Sequence, residues 1–238
     1  MKTIVITLLA TIATITILVS CTSVKPTTTE IVILRDITEN SLAKPKAVEL
    51  NGLFDLSTNP NNGIDFSFEN ITDVSYNPVN DAKISSQNEW FSNELEREKE
   101  IKDFNNKVIR IINNSENDTY GKRGSSIYIP LIQKLNTLSK SKADKRVLII
   151  YSDLMENTYD VSFYNKNTRK QLRMNPELII KQLNVSQPVE NLKGIEVYIV
   201  FQPIDQLRDS KFKVVSKIYK QLLEDNGATV TISANLNF

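Results

Sequence analysis

The sequence predicts an α/β domain in which a doubly wound, mostly parallel sheet is flanked by helices, with an antiparallel hairpin at one edge. Three observations lead to this fold class. Short aliphatic runs recur along the chain, amphipathic segments with helical spacing separate them, and one stretch alternates apolar and polar residues. Strands that alternate with helices in this way form a parallel sheet between helical layers.

The aliphatic runs are continuous rather than alternating, which indicates strands buried on both faces and therefore a parallel sheet. Four runs have the length of a strand: 30–34, 146–151, 195–201 and 228–233. Between 63 and 85, Ile64, Phe66 and Phe68 alternate with polar residues. We expect this stretch to form the antiparallel hairpin.

Apolar residues spaced three or four apart predict the helices, and each apolar face is interpreted as core packing. The predicted helices are 87–114, 127–138, 176–183 and 212–225. Ser86 and Glu89 have the spacing of a capping box at the start of the first helix. Asn226 and Gly227 are expected to end the last helix.

Composition narrows the possible functions. Of 238 residues, 29 are basic and 28 acidic, and this balance gives no reason to expect a nucleic-acid partner. The sequence has no histidine and one cysteine, which excludes histidine-dependent nucleophile systems, imidazole zinc sites and intrachain disulfides. Any bound metal would need oxygen ligands, which favours Mg²⁺, Ca²⁺ or Mn²⁺.

Residues 1–20 have the pattern of an export signal, in which Lys2 precedes an uncharged apolar run. The run ends in Leu18-Val19-Ser20-Cys21, which resembles the bacterial lipobox. The resemblance implies cleavage before Cys21 and attachment of a lipid to its thiol. An uncleaved anchor is the alternative, although the run is barely long enough for a bilayer core of about 30 Å.

These features predict the organisation of the chain. Residues 1–20 form the signal peptide, the Ser/Thr-rich segment 21–29 forms a lipidated tether, and 30–238 form one α/β domain. With either a lipid or a retained anchor, the domain would lie outside the cytoplasm. The expected location is the cell envelope, on a periplasmic or cell-surface face of a membrane.

Oxygen-bearing side chains follow two of the predicted strands. Asp36 comes after the first strand, with Thr38 and Asn40 two and four residues later, and Asp153 comes after the run 146–151. In a doubly wound sheet, ligands bind outside the carboxyl ends of the strands. We therefore expect these oxygens to converge on one hard divalent cation.

This pattern resembles the von Willebrand factor type A (vWA) family over roughly residues 30–233. The metal-ion-dependent adhesion site of that family has Asp-x-Ser-x-Ser after strand one, a threonine in a Gly-Thr loop before a helix, and an aspartate ending strand four. The corresponding segments here are Asp36-Ile37-Thr38-Glu39-Asn40, Gly124-Ser125-Ser126 and Ile150-Tyr151-Ser152-Asp153. The motif is degenerate, because Asn40 replaces a serine and Leu154 replaces the glycine common after the aspartate.

The resemblance implies a vWA-like (Rossmann-like) fold and an interaction module. Its ion would be Mg²⁺, with Mn²⁺ or Ca²⁺ as alternatives. The ion would be held directly or through water by Asp36, Thr38, Asn40 and Ser125, with Asp153 behind them or acting through water. Such a site would capture a carboxylate of an envelope or surface protein. We favour binding over catalysis because the sequence supplies no other nucleophile with a general base.

Two other functions remain open. The acidic strand ends could serve a metal-assisted hydrolase or phosphatase, with Asp36, Glu39, Asp153 or Glu156 as the base. The chain could also be a metal-free structural lipoprotein of the envelope. In that case Asp36 and Asp153 would cap the helices that follow their strands.

A basic loop with interleaved aromatic residues is predicted after the strand 146–151. It contains Lys166, Arg169, Lys170 and Arg173. Such a loop could contact an anionic lipid surface or a partner protein, or it could be a solvated loop that its aromatic residues anchor to the domain.

Overall fold

The computed structural model describes residues 25–38, 42–71, 77–88, 93–115 and 125–236. The strands are β1 (Thr28–Asp36), β2 (Gly63–Ile71), β3 (Val79–Ile84), β4 (Lys145–Tyr151), β5 (Ile195–Val200) and β6 (Thr229–Ser233). The helices are α1 (Ala47–Phe54), α2 (Glu94–Ser115), α3 (Tyr128–Ser139), α4 (Lys166–Met174), α5 (Pro176–Ser186) and α6 (Gln206–Asp225).

The strands form one sheet in the order β3-β2-β1-β4-β5-β6. All neighbouring pairs are parallel except β2 and β3, which are antiparallel. The predicted α/β class, mostly parallel sheet and antiparallel edge hairpin are therefore confirmed. From β1 the chain adds β2 on one side and later β4 on the other, so the strand order reverses between β1 and β4.

Each face of the sheet is covered by its own apolar core. Because side chains alternate along a strand, Val32 and Leu34 of β1 point to the face covered by α3, α5 and α6. Ile31 and Ile33 point to the opposite face, where α1 and α2 pack. The two helical layers cover the central strands on both sides, which explains their uninterrupted aliphatic sequences.

Helix α2 begins later than predicted. The expected capping box at Ser86 is wrong, because residues 85–88 lie outside the helix, and Glu89 lies outside the described residues. Asn93 begins the helix instead: its side-chain Oδ1 accepts from Leu95 N at 3.2 Å and its carbonyl accepts from Arg97 N at 2.9 Å. Leu95 is 78% exposed, so it is not part of the core.

Two helices were not predicted. Helix α1 is only eight residues long and buries Leu50, Leu53 and Phe54. Helix α4 occupies the predicted basic loop, whose loop assignment is therefore wrong. It begins where the Asn165 side chain accepts from Asn167 N at 2.8 Å, a cap that stabilises a short polar helix.

The amino-terminal predictions fall partly outside the described residues. Thr28 and Thr29 belong to β1 rather than to the predicted tether. Cys21 and the predicted signal peptide are not among the described residues. Within the part of the chain that is described, no helix combines the length and apolar character needed to cross a membrane.

Candidate functional site

The candidate site lies where β1 and β4 end, at the reversal of the strand order. The two strands run in parallel with Arg35 opposite Tyr151, so both reach the same edge of the sheet. Asp36 is the last residue of β1 and Ser152 directly follows β4; both residues are about 1% exposed. Reversal points of this kind leave a crevice at the carboxyl ends of the strands.

The Asp36 carboxylate accepts hydrogen bonds on both oxygens. Oδ1 accepts from the Thr38 amide at 2.9 Å and from the Thr38 hydroxyl at 2.7 Å. Oδ2 accepts from the Ser152 hydroxyl at 2.9 Å. Asp36 therefore closes a local turn and links it to the end of β4. The alternative in which Asp36 caps a following helix is wrong, because α1 begins only at Ala47.

Asp153 is partly exposed and closes a second turn. Its Oδ1 accepts from the Met155 amide at 2.9 Å, while the Ser152 hydroxyl accepts from Leu154 N at 2.9 Å. Asp153 does not cap a helix either, because α4 begins beyond Asn165. Leu154 is fully buried and has a φ of 59°, in the left-handed region that favours glycine. This is the position where the vWA pattern commonly has glycine.

Ser125 is tied to the loop that follows β4. Its amide donates to the Asn157 carbonyl at 3.3 Å, and the Asn157 amide donates to the Ser125 carbonyl at 2.7 Å. The side chain is 6% exposed, and its hydroxyl has no hydrogen-bond partner among the described residues. A buried hydroxyl without a partner is costly and requires an explanation, such as a bound ion.

Glu156 connects the same loop to the start of α3. Its Oε2 accepts from the Ile127 amide at 2.8 Å and the Tyr128 amide at 2.9 Å, which satisfies two free donors at the helix start. The side chain is 2% exposed. Burial raises the pKa of Glu156 to about 7; the two amide bonds lower it, and the charge of Asp36 adds a further increase. Sequence reasoning named Glu156 only as a possible base and missed this structural role.

The structure thus brings together three of the sequence-predicted segments. Asp36 contacts Ser152, the neighbour of Asp153, and Ser125 pairs with the loop that continues from Asp153. Asn40 lies outside the described residues. Within the described ranges, no three Asp, Glu or Cys side chains are grouped closely enough to hold a metal ion.

A cation at this edge would therefore depend on hydroxyl oxygens in addition to the two aspartates. The residues fit such an ion in two respects. Every predicted ligand offers oxygen, which suits a hard cation. The Ser125 hydroxyl is also a buried oxygen without a partner among the described residues.

A small cavity adjoins Asp153 on its exposed side. It has a volume of about 140 Å³ and is lined by Asp153, Met155, Tyr164, Arg208, Lys211 and Phe212. Two cationic side chains of α6 thus lie at the rim of the candidate site. This proximity is not apparent from the sequence, because α6 begins more than fifty residues after β4 ends.

Comparisons with known proteins do not name a family. No protein-family model matches this sequence, and no curated protein matches it. Among solved structures, the chain is similar to the PilB minor pilin from Streptococcus sanguinis, with 11% identity and a TM-score of 0.45. A point mutant of that pilin gives 10% identity and the same TM-score. The match covers 90% and 91% of this chain, respectively, but only 59% of each pilin chain.

Proposed function

We propose that this chain is an extracytoplasmic lipoprotein whose vWA-like domain binds an envelope or surface protein through the β1–β4 edge, with the help of a divalent cation. The observation that carries the proposal is the buried hydroxyl of Ser125, which lacks a hydrogen-bond partner among the described residues. It lies at the edge where Asp36 is buried and where the loop from Asp153 begins. A cation there would satisfy the hydroxyl.

In this proposal the Asp36 carboxylate orients the neighbouring hydroxyl groups. It accepts hydrogen bonds from the hydroxyls of Thr38 and Ser152. Thr38 therefore keeps oxygen lone pairs available for an ion. Thr38, Asn40 and Ser125 would hold Mg²⁺, with Asp36 and Asp153 providing negative charge directly or through water. The ion would supply a positive centre that attracts a carboxylate of the partner.

Calorimetric titration of the full chain with MgCl₂ and MnCl₂ tests the cation. We expect saturable binding by the native chain and loss of binding in Asp36→Ala. Asp65→Ala is the matched control, because Asp65 of β2 forms an ion pair with Lys83 of β3, away from the site. Absence of binding heat in the native chain would remove the cation from the proposal and leave the metal-free structural lipoprotein.

A second experiment tests the anchor independently. We expect the native chain, expressed in a bacterium, to incorporate radiolabelled palmitate and to partition into the detergent phase of Triton X-114. Cys21→Ser should abolish the incorporation. Incorporation that persists in Cys21→Ser would disprove the assignment of Cys21 as the lipidated residue.

One observation favours an enzyme as the alternative. A pKa of about 7 at Glu156 suits a general base near neutral pH. However, the Glu156 side chain is 2% exposed and its Oε2 already accepts two backbone amides, which disfavours contact with a substrate. Mg²⁺-dependent hydrolysis of para-nitrophenyl phosphate that is lost in Asp36→Ala would favour the hydrolase instead.

A further inference from the structure

A groove lies between α4 and α6, next to the proposed site. Its volume is about 710 Å³. Met155, Leu172 and Val215 are buried residues of its apolar floor. Met174 and Leu207 line it while remaining 72% and 64% exposed, respectively. Large apolar side chains that stay exposed along a groove are typical of binding surfaces.

The rim of this groove is basic. Lys166, Lys170 and Arg173 of α4 and Lys211 of α6 line it, and among the described residues no carboxylate forms an ion pair with any of them. Helix α4 contains four cations and no acidic residue within nine positions. Such a concentration of like charge attracts an anionic partner.

We propose that the α4–α6 groove binds an acidic amphipathic helix of the partner protein. Leucine-type side chains at i, i+3, i+4 and i+7 of that helix would fill the apolar floor, and flanking Glu or Asp residues would pair with the basic rim. This placement rests on the proposed function, because the groove shares Met155 and Lys211 with the cavity beside Asp153. One partner would then span both surfaces.

Two features favour a protein helix over an anionic membrane. The apolar floor consists of buried residues recessed between two helices, so a flat lipid surface would meet the charged rim before the floor. Thr27 is also fixed at the amino edge of the sheet, where its carbonyl accepts from Gly63 N at 2.8 Å. The six residue steps from Cys21 to Thr27 span at most about 20 Å. Strand β1 extends about 30 Å from there to the carboxyl edge of the sheet, where α6 begins, so a lipid on Cys21 would be attached far from the groove.

Fluorescence anisotropy with three synthetic peptides tests this proposal. The peptides share leucines at helical spacing and differ only in flanking residues, which are all Glu, all Gln or all Lys. The full-length chain is held in neutral phosphatidylcholine nanodiscs in EDTA, so that the result does not depend on a cation. We expect the Glu peptide to bind at least tenfold more tightly than the Lys peptide. Equal affinities would overturn the proposal.

Charge reversal locates the binding surface. Lys170→Glu with Arg173→Glu should weaken the Glu peptide about tenfold and strengthen the Lys peptide. Lys99→Glu with Lys102→Glu on α2, in the opposite helical layer, is the matched control and should change neither affinity. Thermal unfolding followed by circular dichroism verifies that both variants fold. Equal loss in both variants would overturn the assignment to this groove.

Two further measurements test whether the groove binds a membrane or a second copy of the chain instead of a partner helix. The first is flotation of the chain with phosphatidylglycerol vesicles. If the Glu peptide fails to bind, and the chain floats with these vesicles but the α4 variant (Lys170→Glu with Arg173→Glu) does not, the surface binds a membrane and the proposal is overturned. Sedimentation showing a dimer that the α4 variant dissociates would assign it to a second copy of the chain, with the same consequence. Mg²⁺ binding is measured separately, so failure of the cation site and failure of the groove give different results.

Discussion

The Ser152 hydroxyl donates to Asp36 Oδ2 at 2.9 Å and joins the ends of two strands that are 116 residues apart in sequence. The same hydroxyl accepts from Leu154 N. A single side chain therefore connects the β1 turn to the β4 turn. Both turns carry the predicted ligands, so this hydrogen bond holds the candidate site in shape.

Ser152→Ala should lower the free energy of unfolding by about 2 kcal/mol, because it removes a buried hydrogen bond to a charged group and leaves the Leu154 amide unpaired. Urea unfolding measures the change. Ser162→Ala is the control, since that hydroxyl makes an exposed hydrogen bond to Asn157; we expect a loss below about 0.5 kcal/mol. Equal losses would contradict a special role for Ser152.

Ser125→Ala should have opposite effects on stability and on metal binding. In EDTA it removes a buried hydroxyl that lacks a partner among the described residues, so the free energy of unfolding should rise by about 1 kcal/mol. In Mg²⁺ the same change should weaken the ion's affinity, which calorimetry measures. A variant that is destabilised in EDTA would mean that the hydroxyl has an unidentified protein partner.

At position 154 a glycine should be less destabilising than an alanine, which is the reverse of the usual order. Both substitutions lose the buried leucine, a cost of about 2–5 kcal/mol. Leu154→Ala keeps the left-handed backbone strain, whereas Leu154→Gly relieves about 1 kcal/mol of it. We expect the glycine variant to be the more stable of the two in urea unfolding. An alanine variant as stable as the glycine variant would indicate an unstrained turn.

Stability should depend on pH through Glu156. Its pKa is about 7 in the folded chain and near 4.5 when unfolded, so the folded state binds more protons between these values. Stability therefore falls as pH rises from about 4.5 to 7, by on the order of 3 kcal/mol. Glu156→Gln has no such titration. Urea unfolding from pH 4.5 to 8 should show the two chains diverging, and parallel curves would contradict the raised pKa.

Arg97 of helix α2 ties that helix to two loops outside the site, and its replacement should destabilise the fold. It is buried and donates to the carbonyls of Pro60, Asn62 and Ser85 at 2.6, 2.6 and 2.9 Å. A lysine ammonium carries its donors on a single nitrogen, whereas these three carbonyls are bound by three separate guanidinium nitrogens, so Arg97→Lys should cost about 2–4 kcal/mol in urea unfolding. Arg110→Lys, an exposed control on the same helix, should cost less than about 0.5 kcal/mol.

The central part of the sheet was predictable from sequence because its strands are buried on both faces. Continuous aliphatic runs such as 146–151 have few interpretations other than central parallel strands. The short helices were not predictable for the opposite reason. Helix α4 has one buried residue, Leu172, and depends on the Asn165 cap rather than on a periodic apolar face. Helix α1 is too short for its periodicity to stand out.

For the candidate site, the sequence predicted which segments meet but not the contacts between them. Strand-end aspartates can be identified along a sequence, and the structure places Asp36 and Asp153 at one edge as expected. The contacts that shape the site were not predictable, since they are made by Ser152, by Glu156 and by the backbone of Asn157 across long separations. Hydrogen bonds of this kind leave no periodic signal in the sequence.

The position of β1 in the middle of the sheet has a consequence for how the molecule is made. It is the first of the described strands to be synthesised, yet its partner β4 lies 116 residues later. At about 5–20 residues per second, synthesis of that partner follows roughly 6 to 23 seconds later. During that interval β2 can pair with one edge of β1, but the other edge stays unpaired. The nascent chain is therefore more exposed to edge-to-edge association than a domain with locally paired strands.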